Sequence, residues 1–231
     1  MLAIVIGAGI VGVSTAWHLR RQGWDVQVID AHAGPAQEAS FANAGQISPS
    51  YSAPWAHRKA PWLALRWMFD PQAPLLLRPQ ADWRQWRWCL QFLAQCNDAA
   101  YERNYRRIFA LGRYSQQALH ELLAHVPIQY QRLRKGVVHF YSDSDSFEAA
   151  RRAEPFYQAL GVDRRFVDAD EVIAIEPALA AYRDRIVGGS YSPTDETGDA
   201  RLFTEQLARA CESAGVAFHW GCKVTQLLAE N

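Results

Sequence analysis

Three glycines near the N-terminus constrain this chain more than any other feature. They fall at Gly7, Gly9 and Gly12, spaced G-x-G-x-x-G, within "LAIVIGAGIVGVSTAW". Ahead of them, Leu2, Ala3, Ile4, Val5 and Ile6 form a short apolar run without alternation, which predicts a strand buried on both faces of a parallel sheet. Behind them, Val13, Ala16, Trp17 and Leu19 recur near helical spacing, Arg20 and Arg21 sit in the last turns, and Gly23 is positioned to end the helix. "DVQVID" (25–30) then alternates as a second strand and closes on Asp30. This order of strand, glycine turn, helix, strand and acid is what a dinucleotide site requires. Gly7 permits the tight turn, Gly9 lets the backbone approach a pyrophosphate, and Gly12 lets helix and strand pack closely. The helix N-terminus offers N–H groups and a partial positive charge to the anion. Asp30 can accept hydrogen bonds from two ribose hydroxyls and would repel a 2′-phosphate, which disfavours NADP without separating NAD from FAD.

Beyond Asp30 the chain is unlike a continuous NAD-binding half. It passes through Gly34-Pro35 into "SFANAGQISPSY" (40–51), a run of small residues suited to close backbone approach. More than a hundred residues later a parallel-strand unit resumes. Asp199 reads as an N-cap, helix 200–213 carries Phe203, Leu207 and Cys211 at i, i+4 and i+8, Gly215 closes it, and "VAFHW" (216–220) reads as the third parallel strand. The predicted class is α/β: a Rossmann-like parallel sheet in two parts, 1–50 and 191–231, split by an α+β substrate domain at 51–190. The second part is incomplete.

The stretches "IVIGAGIVGVSTAWHL", "VID", "SFANAGQISPSYSAPW", "KAPWLALRWMF", "DETGDARLFTEQLARACESAGV" and "VTQLL" resemble the FAD-dependent D-amino-acid oxidoreductases, the bacterial D-amino acid dehydrogenase small subunits above all. The resemblance implies FAD as cofactor. It implies contacts from Ala3, Ile4, Val5, Ile6, Gly7, Ala8, Gly9, Ile10, Val11, Gly12 and Val13, from Asp30 and Ala31, and from the loop residues Ser40, Asn43, Ala44 and Gly45. Ser40 and Asn43 would offer hydrogen bonds to phosphate or flavin ring, small side chains at Ala42, Ala44 and Gly45 would let the backbone pass close, and the backbone at Val224 would lie near the adenine. The implied reaction is oxidation of a D-amino acid, D-alanine among them, to an imine that water converts to a 2-oxo acid and ammonia, with electrons passing to a quinone or other respiratory acceptor. A glycine- or sarcosine-type amine oxidase is the alternative within the same fold, and a flavin-binding fragment inactive without a C-terminal half is a third. Relatives of this kind are roughly twice as long, so the chain reads as an N-terminal half, truncated before the segments that would face substrate. An arginine would be the natural clamp for the substrate carboxylate, but no arginine and no catalytic residue is assigned.

The inserted region carries Trp55, Trp62, Trp67, Trp83, Trp86 and Trp88. Between residues 55 and 109 it holds nine Lys/Arg against four Asp/Glu. "DWRQWRWCLQFLAQC" (82–96) predicts a helix with Trp83, Trp86, Leu90 and Leu93 on one face and Arg84 and Arg87 mostly opposite. Two readings are open: the aromatics fill the substrate domain's core, or the helix docks on an anionic membrane surface, the cytoplasmic face of the inner membrane. A long helix over 99–125 and a strand over 136–142 complete the region. Elsewhere the bulk numbers are restrictive. Lys/Arg and Asp/Glu balance at 24 each, which gives no electrostatic ground for a nucleic-acid partner. The four cysteines, Cys89, Cys96, Cys211 and Cys222, form no C-x-x-C pair and read as buried free thiols of a cytoplasmic protein. The seven histidines show no ligand spacing, so no metal is expected.

Overall fold

The computed structural model describes residues 1–67 and 78–228. In chain order the elements are β1 (Leu2–Ile6), α1 (Ile10–Arg21), β2 (Asp25–Ile29), β3 (Gln46–Ile47), α2 (Ala60–Trp67), α3 (Trp83–Ala94), α4 (Asp98–His125), β4 (Val137–Tyr141), α5 (Ser144–Arg152), α6 (Glu154–Ala159), β5 (Arg165–Val167), α7 (Ala169–Ile175), β6 (Gly188–Ser192), β7 (Glu196–Thr197), α8 (Ala200–Ser213) and β8 (Ala217–His219). They fall into two compact units. The first takes Met1–Ser48, Gln117–Arg152 and the chain from Asp163 onward; the second takes Pro49–Gln116 and Ala153–Val162.

In the first unit β1, β2 and β8 form a parallel sheet in that order, with Val5 opposite Val28 and Val28 opposite Phe218. Gly23, at φ +84°, ends α1 as its position predicts, its amide bonding the Arg20 carbonyl while the Trp24 amide reaches that of Leu19. Asp199 caps α8 by accepting from the Leu202 amide at 2.8 Å. Both crossover helices cover the same face of the sheet, where Val13, Ala16, Val26, Val28, Phe203, Leu207 and Cys211 make the core. Right-handed connections put them there together. The expectation that β1 is buried on both faces therefore fails. Among the described residues it is an edge strand, and its alternate residues Leu2, Ile4 and Ile6 are more than half exposed.

The division of the chain also differs from a cut at 51 and 190. The end of α4 places Leu122 in the same core as α8, joined by Val126, Ile128 and Tyr130. The antiparallel sheet β4–β6–β5, with β6 central, and the short ribbon β3–β7 belong to this unit as well. The part of the expected insertion at 68–77 lies outside the described residues.

The second unit is organised around Tyr105, fully buried, whose hydroxyl donates to the Ser50 carbonyl at 3.0 Å and whose ring meets Phe156 and Tyr157 edge-on. The tryptophans of α2 and α3 do not share that core. Trp62 is 77% exposed and Trp83 63%, and Trp86, Trp88, Leu90 and Leu93 are exposed with them. Among the described residues these aromatics therefore fill no core of this unit. Asp82 caps α3 through the Arg84 amide, and the Arg87 guanidinium lies 5.7 Å from the Trp83 ring centroid.

The cysteines are all free, but only Cys211 is buried; Cys89 and Cys96 are half-buried and Cys222 is exposed. Burial, aided by Glu212, pushes the Cys211 thiol up to about 12. Since the thiolate is the reactive form, a disulfide-exchange reagent at pH 8 is expected to modify Cys222 first and Cys211 only on unfolding. Loss of the fast phase in Cys222→Ser, read by absorbance, checks the assignment.

Candidate functional site

The ends of the three parallel strands build one edge of the first unit. Gly7 leaves β1 at φ +99°, a conformation that favours glycine, and its amide bonds the Ile29 carbonyl at 2.8 Å. Gly12 lies so close behind that a Cβ there would sit 1.9 Å from the Gly7 carbonyl oxygen. This contact fixes where α1 begins. The first amides of a helix have no carbonyl one turn back. That of Ile10 is taken by Ser40 Oγ at 3.0 Å, and Val13 is the first to bond within the turn, to the Gly9 carbonyl. Val11 and Gly12 present their amides at the positive end of α1, whose first turn carries no acidic residue.

Asp30 does more than the sequence suggests. Its Oδ2 accepts from the Ala8 amide at 2.6 Å and its Oδ1 from the His32 amide at 2.8 Å. The acid at the end of β2 thus ties the glycine turn to the loop after β2. A carboxylate has about four lone-pair sites, so acceptor capacity remains for ribose hydroxyls. Beyond β8, the Cys222 amide bonds the Asp30 carbonyl and the Gly221 amide that of His32, which brings the 221–224 segment beside Asp30.

The small-residue loop arrives from the other side. Ser40 is buried against Ile10, and Arg201 stacks 4.4 Å over the Phe41 ring. Asn43 turns inward on its own loop: its Nδ2 donates to the Ala39 carbonyl and its Oδ1 accepts from the Gly45 amide. Ala44 is exposed. Gly45, at φ +59°, presses on Gly198, and a Cβ would sit 2.0 Å from that carbonyl oxygen. Gly7 to Gly12, Asp30, Ala31, Ser40 and the loop to Gly45 are thus brought to one edge. Val224 lies exposed two residues past Cys222. Three of the named residues sit elsewhere: Val13 is fully buried in the helix-side core, and Ala3 and Ile4 lie back along β1. Val5 packs against the core, while Ile6 and Val11 are exposed.

One charged cluster in the same unit was not anticipated. Glu196 on β7, its side chain 3% exposed, accepts from His120 Nε2 at 2.6 Å and from Arg132 Nε at 2.6 Å, with Arg134 at 3.6 Å. Burial alone would raise its carboxyl, but the hydrogen bonds from Arg132 and His120 outweigh that and hold it below the usual glutamate range. Among the described residues no group of three or more His, Cys, Asp or Glu side chains is arranged to hold a metal ion.

A parallel βαβ unit with this turn, this acid and a glycine-backed loop defines a dinucleotide-binding α/β protein. The chain belongs to the FAD dependent oxidoreductase family, DAO, whose model matches residues 3–231. It is 41% identical over 224 residues to the D-amino acid dehydrogenase of Granulibacter bethesdensis, an alignment covering 97% of this chain and 54% of that one. Its fold matches glycine oxidase from Bacillus cereus (TM-score 0.62, 22% identity, all of this chain and 48% of that). It also matches L-amino acid deaminase from Proteus vulgaris (TM-score 0.64, 19% identity, 99% of this chain and 41% of that). The chain therefore spans about half the length of the relatives it matches.

Two substitutions test this edge. Gly12→Ala is expected to destabilise by on the order of 1–3 kcal/mol or more, since the new methyl meets backbone rather than a flexible side chain. Asp30→Ala removes two charge-assisted bonds and is expected to cost at least about 1.5 kcal/mol. Urea denaturation followed by tryptophan fluorescence measures both; an unchanged midpoint for either would contradict the geometry.

Proposed function

We propose that this chain is the FAD-binding half of a D-amino acid dehydrogenase, acting on D-amino acids with D-alanine among them. The observation that carries the reading is its 41% identity to a D-amino acid dehydrogenase over 97% of this chain. The residues suit the cofactor. The Val11 and Gly12 amides and the positive end of α1 are matched to a pyrophosphate, and the spare lone pairs of Asp30 to ribose hydroxyls. The small side chains of Ala42 and Ala44 suit a close approach of the loop to the cofactor, and the 221–224 strap suits the adenine end. When bound, FAD supplies the two-electron acceptor for the substrate's α-hydrogen. The resulting imino acid is hydrolysed by water to a 2-oxo acid and ammonia, and the electrons leave to a quinone acceptor.

The fold it shares with a glycine oxidase favours one alternative, an amine oxidase that reduces oxygen. The half-length match favours another, a flavin-binding unit that is inactive without a second half. Purified chain incubated with FAD and freed of unbound cofactor is expected to keep flavin absorbance. Bleaching by D-alanine with dye reduction, and without rapid peroxide formation, is the dehydrogenase outcome. Rapid peroxide formation would replace that reading with the oxidase. Retained flavin with no bleaching would favour the inactive unit.

No helix among the described residues is long and apolar enough to cross a membrane. The exposed tryptophans of α2 and α3, with Arg84 and Arg87 beside them, support a peripheral contact with an anionic bilayer, where an amphipathic ring and a basic flank suit the interface. Sedimentation with phosphatidylglycerol vesicles is expected to recover the chain at low salt, and Arg84→Gln/Arg87→Gln to weaken recovery. Equal recovery with neutral vesicles would remove the electrostatic part of this reading.

A further inference from the structure

The flavin-side loop is attached to the rest of its unit by very little regular structure. The β3–β7 ribbon is two residues long on each strand, with Gln46 opposite Thr197 and Ile47 opposite Glu196. Two such strands are marginal by themselves. Three features reinforce it. The Gly198 amide bonds the Gly45 carbonyl at 2.9 Å. Leu133 exchanges both backbone bonds with Thr197, at 2.9 and 3.0 Å. The Asp199 amide reaches the Tyr130 carbonyl at 2.7 Å. Strand β7 is thus sandwiched between the loop and the 130–134 segment, and Glu196 is the residue of β7 whose side chain is gripped by His120 and Arg132.

We propose that Glu196 is a positioning residue for the cofactor-side loop: its buried carboxylate, held by His120 of α4 and by Arg132, locks β7 in place and through it fixes β3, Gly45 and the loop back to Ser40. The relevance to cofactor rests on the FAD reading; the mechanical role does not. Three donor side chains converge on this one carboxylate. Arg132 Nη2 and the Tyr130 hydroxyl are buried without a partner, so the Glu196 carboxylate is the acceptor around which the site is arranged. A glutamine there would turn a donor toward His120 or Arg132 and leave a partly buried guanidinium without its counter-charge.

The same geometry makes the latch sensitive to pH. The groups facing Glu196 are His120 from α4 and Tyr130, Arg132 and Arg134 from the connecting segment, with buried Asp195 next to it in sequence, just ahead of β7. A carboxyl whose folded pKa lies below its unfolded value contributes stability that is fully present above the unfolded pKa and is lost as pH falls through the folded one. The latch therefore holds at neutral pH and releases only in acid, below the ordinary glutamate range.

Hydrogen exchange read by mass spectrometry tests this on the 231-residue chain. Glu196→Gln is expected to speed exchange in the peptides covering 40–48 and 195–199 by about tenfold or more at pH 7, leaving α1 and α8 unchanged. The gap between wild type and variant is expected to close as pH is lowered to the protonation of Glu196, because protonated glutamate and glutamine are then alike. A purely space-filling role would keep the gap constant. If Glu196→Gln loosens the whole unit, His120→Ala, which withdraws one partner at a partly exposed position, is expected to give the local effect alone. Unchanged exchange in 40–48 in both variants, or a gap independent of pH, overturns the proposal. FAD titration separates the two readings: a wild-type chain that binds no FAD with the exchange result intact removes the cofactor reading and leaves the latch. FAD binding with unchanged exchange does the reverse.

Discussion

The backbone of Gly12 rests on the carbonyl of Gly7, and the nucleotide end of this chain is built outward from that contact. It fixes the first turn of α1 directly behind the end of β1. The Ile10 amide is then where Ser40 can cap it, and the Ala8 amide where Asp30 can reach it. The loop after β2 and the small-residue loop are therefore both referenced to one strand–helix junction. A side chain at position 12 would shift all of these together, because interiors at this density transmit a displacement rather than absorb it.

The strand-end edge also shows a division of labour between near and far residues. The turn, the helix and Asp30 come from the first thirty residues and organise one another. The loop that completes the edge is anchored from the opposite end of the chain, by Gly198 backbone, by Arg201 on Phe41, and by the ribbon that carries Glu196. Backbone-to-backbone glycine contacts set the distances, and a buried ion cluster sets the register.

How much of this could be read from sequence depends on the range of the interaction. The glycine turn, the ends of α1, the helix 200–213 with its Asp199 cap and the third parallel strand are local patterns, and the structure carries them where the spacing puts them. The dinucleotide edge was legible for the same reason. The Glu196 cluster was not. Nothing local to "DETGD" signals that His120 and Arg132, 76 and 64 residues away, converge on its glutamate. The amides that Asp30 holds were hidden because only the ribose role is coded by spacing. The tryptophan helix showed an amphipathic pattern that suits a core or a surface equally, and only tertiary burial distinguishes them. The strand pattern of β1 indicates apolar faces, not what covers them, and its exposed face lay beyond what an apolar run can tell.

The pairing of β2 with β8 has a temporal side. The helix-side core brings Val13 into contact with Cys211, 198 residues further along the chain. Closing so long a loop adds little extra free-energy cost, because the entropy grows only with the logarithm of length. Time is the greater demand. At translation rates of about 5–20 residues per second, the apolar face of α1 waits on the order of 10–40 s for α8 to be made. During that interval the β1–α1–β2 unit lacks the α8 residues Phe203, Leu207 and Cys211 that share its core.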